Sequence, residues 1–146
     1  MYKIIISLCI SLLFLSSCAE KDLKGLSCPH IGILQNHNII STNDYSAEFG
    51  DFSGKCIFKD GAVKVEGKID IITKQNILAN NSRTFEVFFA LVDPGNQILQ
   101  KNIAKVALEF EKDSHYAIAE ELFKFKFNAK NQFNAQNYEI LIGFQK

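Results

Sequence analysis

The chain has 146 residues, with 16 basic and 16 acidic side chains, 13 phenylalanines and no tryptophan. A charge balance at neutrality excludes the broad basic footprint that nucleic-acid binding requires. The length suits one domain around one core and is too short for two comfortable ones.

Residues 1–17 read as an export signal. Lys3 supplies a short positive start, and residues 4–15 form a twelve-residue apolar and small-polar run. As a helix that run is about 18 Å long, well short of the ~30 Å hydrocarbon core a spanning helix must cross. Leu15-Ser16-Ser17-Cys18 follows at once and resembles the lipobox of bacterial lipoproteins, in which an aliphatic and two small residues precede the cysteine that receives diacylglycerol. The competing reading is ordinary secretion with cleavage before Glu20, because Ser17 and Ala19 are both small. Residues 18–27 favour the lipoprotein: Glu20, Lys21, Asp22 and Lys24 make the polar tether that a lipid-bearing terminus needs. Ala19 rather than aspartate after the cysteine implies, by resemblance to bacterial sorting rules, passage to the periplasmic face of the outer membrane.

Residues 28–146 are expected to form a single domain. Removal of Cys9 with the signal and acylation of Cys18 leave Cys28 and Cys56 as an even pair. In an oxidising compartment the simplest state of such a pair is one disulfide.

A period of two runs through the rest of the chain. Val63, Val65, Gly67, Ile69 and Ile71 alternate with Lys64, Glu66, Lys68 and Asp70. Val106, Leu108 and Phe110 alternate with Lys105, Ala107 and Glu109, and Phe123, Phe125 and Phe127 with Lys124 and Lys126. Alternation of this kind marks strands with one buried and one wet face. Residues 85–92 are apolar on both faces and belong in the centre of a sheet or under a second layer, and 138–144 read as a buried closing strand. Cys56-Ile57-Phe58 ends a strand that Gly54 opens, and Asp60-Gly61 turns it back as a tight hairpin with positive φ. Asp93-Pro94-Gly95-Asn96 offers a proline with preset φ and a glycine free to take positive φ. Helix formers crowd only 116–123, where Ala117, Ala119, Glu120, Glu121 and Leu122 favour a short helical turn. The expected fold is all-β: an immunoglobulin-like β-sandwich of seven or eight mostly antiparallel strands, with a small barrel as second choice.

Candidate chemistry is sparse. Cys28, His30, His37 and Cys56 hold the donor atoms of a tetrahedral zinc site, but Cys-x-His lacks the spacing of a structural clip, and an exported cysteine pair oxidises more readily than it binds metal. Asp113-Ser114-His115 has triad residue types in adjacent positions, which on a strand point to opposite faces and reads as a polar turn. Asp44, Glu48, Asp51, Glu120 and Glu121 would serve glycoside hydrolysis only if two were held about 5–10 Å apart. No catalytic residue, metal site or cofactor is therefore assigned.

Cys28-Pro29 followed by Ile31-Gly32-Ile33-Leu34, then Cys56-Ile57-Phe58, residues 89–94 (Phe-Ala-Leu-Val-Asp-Pro) and the closing 138–145 (Tyr-Glu-Ile-Leu-Ile-Gly-Phe-Gln) together resemble a family of small alphaproteobacterial envelope lipoproteins. The resemblance spans most of residues 28–145 and implies a compartment and domain boundaries rather than an activity. The expected function is a membrane-anchored, noncatalytic module that contacts another envelope protein. The alternative is a small periplasmic enzyme or ligand carrier with its own pocket.

Overall fold

The structure is a computed structural model that describes residues 28–76, 78 and 82–146. The expected signal, Cys18 and the tether lie outside the described residues. Among the described residues eight strands follow one another: β1 (His30–Ile33), β2 (Ile39–Ser41), β3 (Tyr45–Lys59), β4 (Ala62–Gln75), β5 (Ser82–Val92), β6 (Ile98–Glu109), β7 (Tyr116–Asn128) and β8 (Glu139–Phe144). Two short 3-10 turns, Gln35–His37 and Gln132–Asn137, interrupt them. Among the described residues no helix is long and apolar enough to cross a membrane.

The strands form two four-stranded sheets, in the orders β1-β8-β5-β6 and β2-β3-β4-β7. All pairings are antiparallel except that of β1 with β8. The inward rows predicted from alternation meet between the sheets: Val63, Val65, Ile69 and Ile71 of β4 and Phe123, Phe125 and Phe127 of β7 face Phe85, Val87, Phe89 and Leu91 of β5. Aromatic contacts join the layers directly, with Phe89 stacked on Phe123 at 5.1 Å between centroids and Phe49 on Phe144 at 4.2 Å. Gly67 takes part in this packing by having no side chain, because the Phe123 ring occupies the space a Cβ would fill.

β5 is central, between β8 and β6, and from Val87 onward both of its faces are buried. Its outward Phe88 is covered by the edge of the His37 ring at 5.7 Å and by the Lys101 ammonium 5.0 Å from its centroid. The turn Gln35–His37 therefore acts as a clasp over the outside of the sheet, fixed by a 2.9 Å hydrogen bond between His37 Nδ1 and the Phe144 carbonyl.

The two open sides of the sandwich are closed differently. On one side Cys28, just before β1, is disulfide-bonded to Cys56 of β3, with a Cα–Cα distance of 5.7 Å. On the other, β6 and β7 approach each other, and Gln100 Nε2 donates to the Lys126 carbonyl at 2.7 Å.

Two local expectations need correction, and one open choice is decided. The segment 116–123, whose residues favour helix locally but which the sequence leaves open between helix and strand, is strand, because pairing with β4 from Lys74↔Tyr116 onward commits its backbone and buries its inward side against the core. The strand containing Cys56 begins at Tyr45, and Gly54 lies inside it opposite Gly67. In the β5–β6 turn the residue with positive φ is Asn96, at 63°, not Gly95. Asp93 organises this turn, its carboxylate accepting from the Gly95 and Gln97 amides at 2.8 Å each, and an asparagine tolerates the left-handed position that remains. The Asp60-Gly61 hairpin forms as expected, with φ of 53° and 76° and the pair Lys59↔Ala62 flanking it.

Candidate interaction surface

The residues singled out from the sequence do not converge. The sulfurs of Cys28 and Cys56 are bonded to each other, His30 is exposed on β1, and His37 is committed to the clasp over Phe88. Asp113 takes a φ of 62° in a turn, the Ser114 hydroxyl exchanges hydrogen bonds with the Tyr116 backbone, and His115 Nδ1 bonds the Gln75 carbonyl at 3.0 Å. The Ser114 and His115 side chains thus serve the main chain separately. Glu120 and Glu121, adjacent on β7, point to opposite faces. Glu48 lies beside β2 and Asp51 at the β3 bulge between Phe49 and Phe52.

What the fold does assemble is the outer face of the β2-β3-β4-β7 sheet. Alternation turns Lys64, Glu66, Lys68, Asp70, Ile72 and Lys74 of β4 outward, and register sets them against the outward residues of β7: Lys126, Lys124, Leu122, Glu120, Ile118 and Tyr116. On the other flank β3 contributes Ile57, Lys55 and Ser53 opposite Lys64, Glu66 and Lys68. Tyr116, Ile118 and Leu122 are 57%, 68% and 62% exposed, apolar side chains on either side of Glu120, with Lys74 opposite Tyr116 and Lys68 opposite Leu122.

Glu66 sits at the centre of the basic half. Its carboxylate lies 2.8 Å from Lys64 Nζ, 3.6 Å from Lys124 and 3.7 Å from Lys55. The hydrogen bond and charge of Lys64, helped by Lys124 and Lys55, hold its pKa below the ordinary carboxylate value. Lys68 and Glu120 bridge diagonally across β4 and β7 at 2.5 Å, and the Glu120 carboxylate raises the Lys68 pKa. Three lysines around one carboxylate leave a local excess of positive charge in a chain that is neutral overall. A shallow groove of about 460 Å³ crosses this region, walled by Ser53 and Lys55 on one side and Leu122 and Lys124 on the other, over the glycine pair Gly54 and Gly67.

No family model, curated protein or solved structure matches the chain. The surface combines exposed apolar side chains, flanking cations and a groove open to solvent rather than an enclosed cleft.

Glu121 is the one carboxylate on the inward side of β7, paired across to buried Ile69, and burial raises its pKa. An inward charge on an edge strand opposes pairing with foreign strands at some cost to stability. Because the folded state holds the Glu121 proton more tightly than the unfolded chain does, its favourable contribution is present at low pH. That contribution is lost as pH rises through the raised folded pKa. Glu121→Gln is therefore expected to raise the melting temperature at pH 7 by about 2 °C, the effect of a few tenths of a kcal/mol at a part-exposed site. The difference should disappear when melting is followed below the carboxylate range. This position was visible in the sequence as a charge in phase with Phe123, Phe125 and Phe127.

Proposed function

We propose that this chain is an envelope lipoprotein, cleaved before Cys18 and lipid-anchored through it, whose immunoglobulin-like domain is a noncatalytic interaction module. Its docking face is the outer side of the β2-β3-β4-β7 sheet, and its partner is another envelope protein with an acidic, apolar-centred surface. The observation that carries this reading is the exposure of Tyr116, Ile118 and Leu122 on the outer face of β7, with Lys74 and Lys68 opposite. Three large exposed apolar residues on one face of a single strand, with Glu120 between Ile118 and Leu122, are more than the scattered surface leucines of an ordinary soluble face.

The strand order supports the immunoglobulin-like assignment. β4 and β5, and again β7 and β8, are consecutive strands in opposite sheets, and the two crossings lie side by side because β4 pairs with β7 and β5 with β8. The lipobox and the Ala19 that follows support anchoring at the periplasmic face of the outer membrane. A tether of residues 19–27 reaches at most about 30 Å when extended, which keeps the docking face close to the bilayer.

Two measurements test the two halves of this proposal. Two or three acyl chains, at about 0.8 kcal/mol per buried methylene, make attachment practically permanent. The Cys18→Ala chain should therefore leave the membrane fraction for the soluble one, and its continued fractionation with membranes, with a mature terminus at Glu20, would overturn anchoring. For docking, lysine-directed crosslinking in cells followed by mass spectrometry should give partner peptides attached at Lys124 and Lys126. Leu122→Glu, at an exposed position, should abolish them without unfolding the domain. Unchanged crosslinks in a folded Leu122→Glu chain would remove this face from the proposal.

A further inference from the structure

β2 covers only a short part of β3. The pairs Ile39↔Glu48, Ile40↔Ala47 and Ser41↔Ser46 complete their contact, whereas β3 continues to Lys59. From the bulge onward, residues 51–55 (Asp-Phe-Ser-Gly-Lys) are all exposed, including Phe52 at 49%. β3 is bonded to β4 on one flank from Phe52 on, and among the described residues no strand pairs with its other flank there, which leaves a natural template for another strand. Of the other edges, β1 has four residues, while the long edges β6 and β7 approach each other on the far side of the sandwich, where Gln100 of β6 bonds the Lys126 carbonyl of β7.

We infer that this edge pairs with the same edge of a second copy of the chain, antiparallel and centred on Ser53, joining two four-stranded sheets into one of eight strands. The inference goes beyond the docking reading and holds whatever the outer face binds.

The register follows from the side chains. Copies related by a two-fold axis through the sheet keep their cores on the same side only if outward residues face outward residues, which allows shifts of two and forbids shifts of one. Centred on Ser53, Asp51 of each copy faces Lys55 of the other, so the pairing is closed at both ends by opposite charges. Phe52 faces Gly54, and an aromatic ring covers a position with no side chain of its own. Moving the centre to Gly54 sets Asp51 against Ile57, and moving it to Phe52 sets Lys55 against Phe49. Either slip loses both charge pairs. Lys55 is available for the exchange: its side chain is 68% exposed and stands 3.7 Å from Glu66, a loose contact in a site where Lys64 is closer. In the joined sheet the two grooves, each walled by Ser53 and Lys55, lie on one continuous face.

The test uses the full chain as purified from cells, with molecular mass followed by sedimentation across a concentration series. The expected result is a monomer–dimer equilibrium. Asp51→Lys and Lys55→Asp should each raise its dissociation constant about tenfold, since each places like charges opposite one another at two symmetry-related positions. The double exchange Asp51→Lys with Lys55→Asp should restore it. Ser53→Cys should give a disulfide-linked dimer on mild oxidation, while Lys59→Cys, remote from the axis, should not. Both cysteine variants leave the charge pair intact, so they report on register even if a charge variant is destabilised. A monomer at every concentration, failure of the double exchange to restore dimerisation, or equal crosslinking at 53 and 59 would each overturn the inference.

Discussion

Replacing Cys28 and Cys56 together by serine is expected to lower the unfolding free energy by about 3.6 kcal/mol, the chain-entropy value for a crosslink across a separation of 28 residues. Against a typical net stability of about 5–15 kcal/mol this is among the largest changes two substitutions can make. For a domain of this size it corresponds to a fall in melting temperature of roughly 10–20 °C. Position as well as loop length matters here. The bond joins the start of β1 in one sheet to β3 in the other, on the side of the sandwich where neither edge is long enough to close over the core. Thermal and urea unfolding of the folded double variant, compared with the native chain under nonreducing conditions, measures the effect. An unchanged midpoint would show that the reduced chain is already constrained by its packing.

Phe144→Ala is the second large effect, expected at about 3–5 kcal/mol. Phe144 is fully buried, stacked on Phe49 at 4.2 Å and edge-on to Phe85 at 5.9 Å, so truncation opens a cavity between the two sheets rather than a dent in the surface. Its backbone carbonyl also receives the His37 ring, so disturbance at Phe144 loosens the clasp over Phe88. Phe52→Ala, at a half-exposed position on β3, provides the contrast and should cost less than about 1 kcal/mol. Urea midpoints for the two variants, measured side by side, check the difference. Equal losses would mean that Phe144 does not carry the contact between the layers.

Much of this architecture is legible in the sequence because burial and strand period coincide. The inward rows of β4, β6 and β7, the two-sided burial of β5 and the Asp60-Gly61 hairpin all follow from alternation and turn chemistry within about a dozen residues. The expected Cys28–Cys56 bond follows from compartment and parity, and the structure contains it. Segment 116–123 stays open between helix and strand in the sequence because its alanines and glutamates favour helix locally, while the pairing that overrides them is supplied by β4, some forty residues earlier. Asn96 could not be separated from Gly95 as the left-handed residue, since the choice depends on how the Asp93 carboxylate uses the two amides around it.

The candidate surface was only half legible. Its residues are present in the sequence as the polar positions of β4 and β7, where lysine spacing looks like an ordinary wet face. Only the register brings Lys124, Glu66 and Lys55 into one row and leaves Tyr116, Ile118 and Leu122 aligned beside it. The open stretch of β3 was hidden for a similar reason. It depends on where β2 stops, and the three residues of β2 carry no periodic signal long enough to set that limit.

The parallel pairing of β1 with β8 has a kinetic consequence. His30 to Ile33 find their backbone partners only at Glu139 to Ile142, so the first strand of the domain has nothing to bond to until nearly the whole chain has been delivered. A chain arriving N-terminus first can close the β3–β4 hairpin early, but β1 and the buried flank of β5 wait for β8. Contacts between residues so distant along the chain are slow to form, because the entropy of closing the loop is lost before the contact returns anything. The first and the central strand of the β1-β8-β5-β6 sheet thus depend on β8, the strand that also carries Phe144, and a chain lacking β8 would leave β1 and one flank of β5 without their partners.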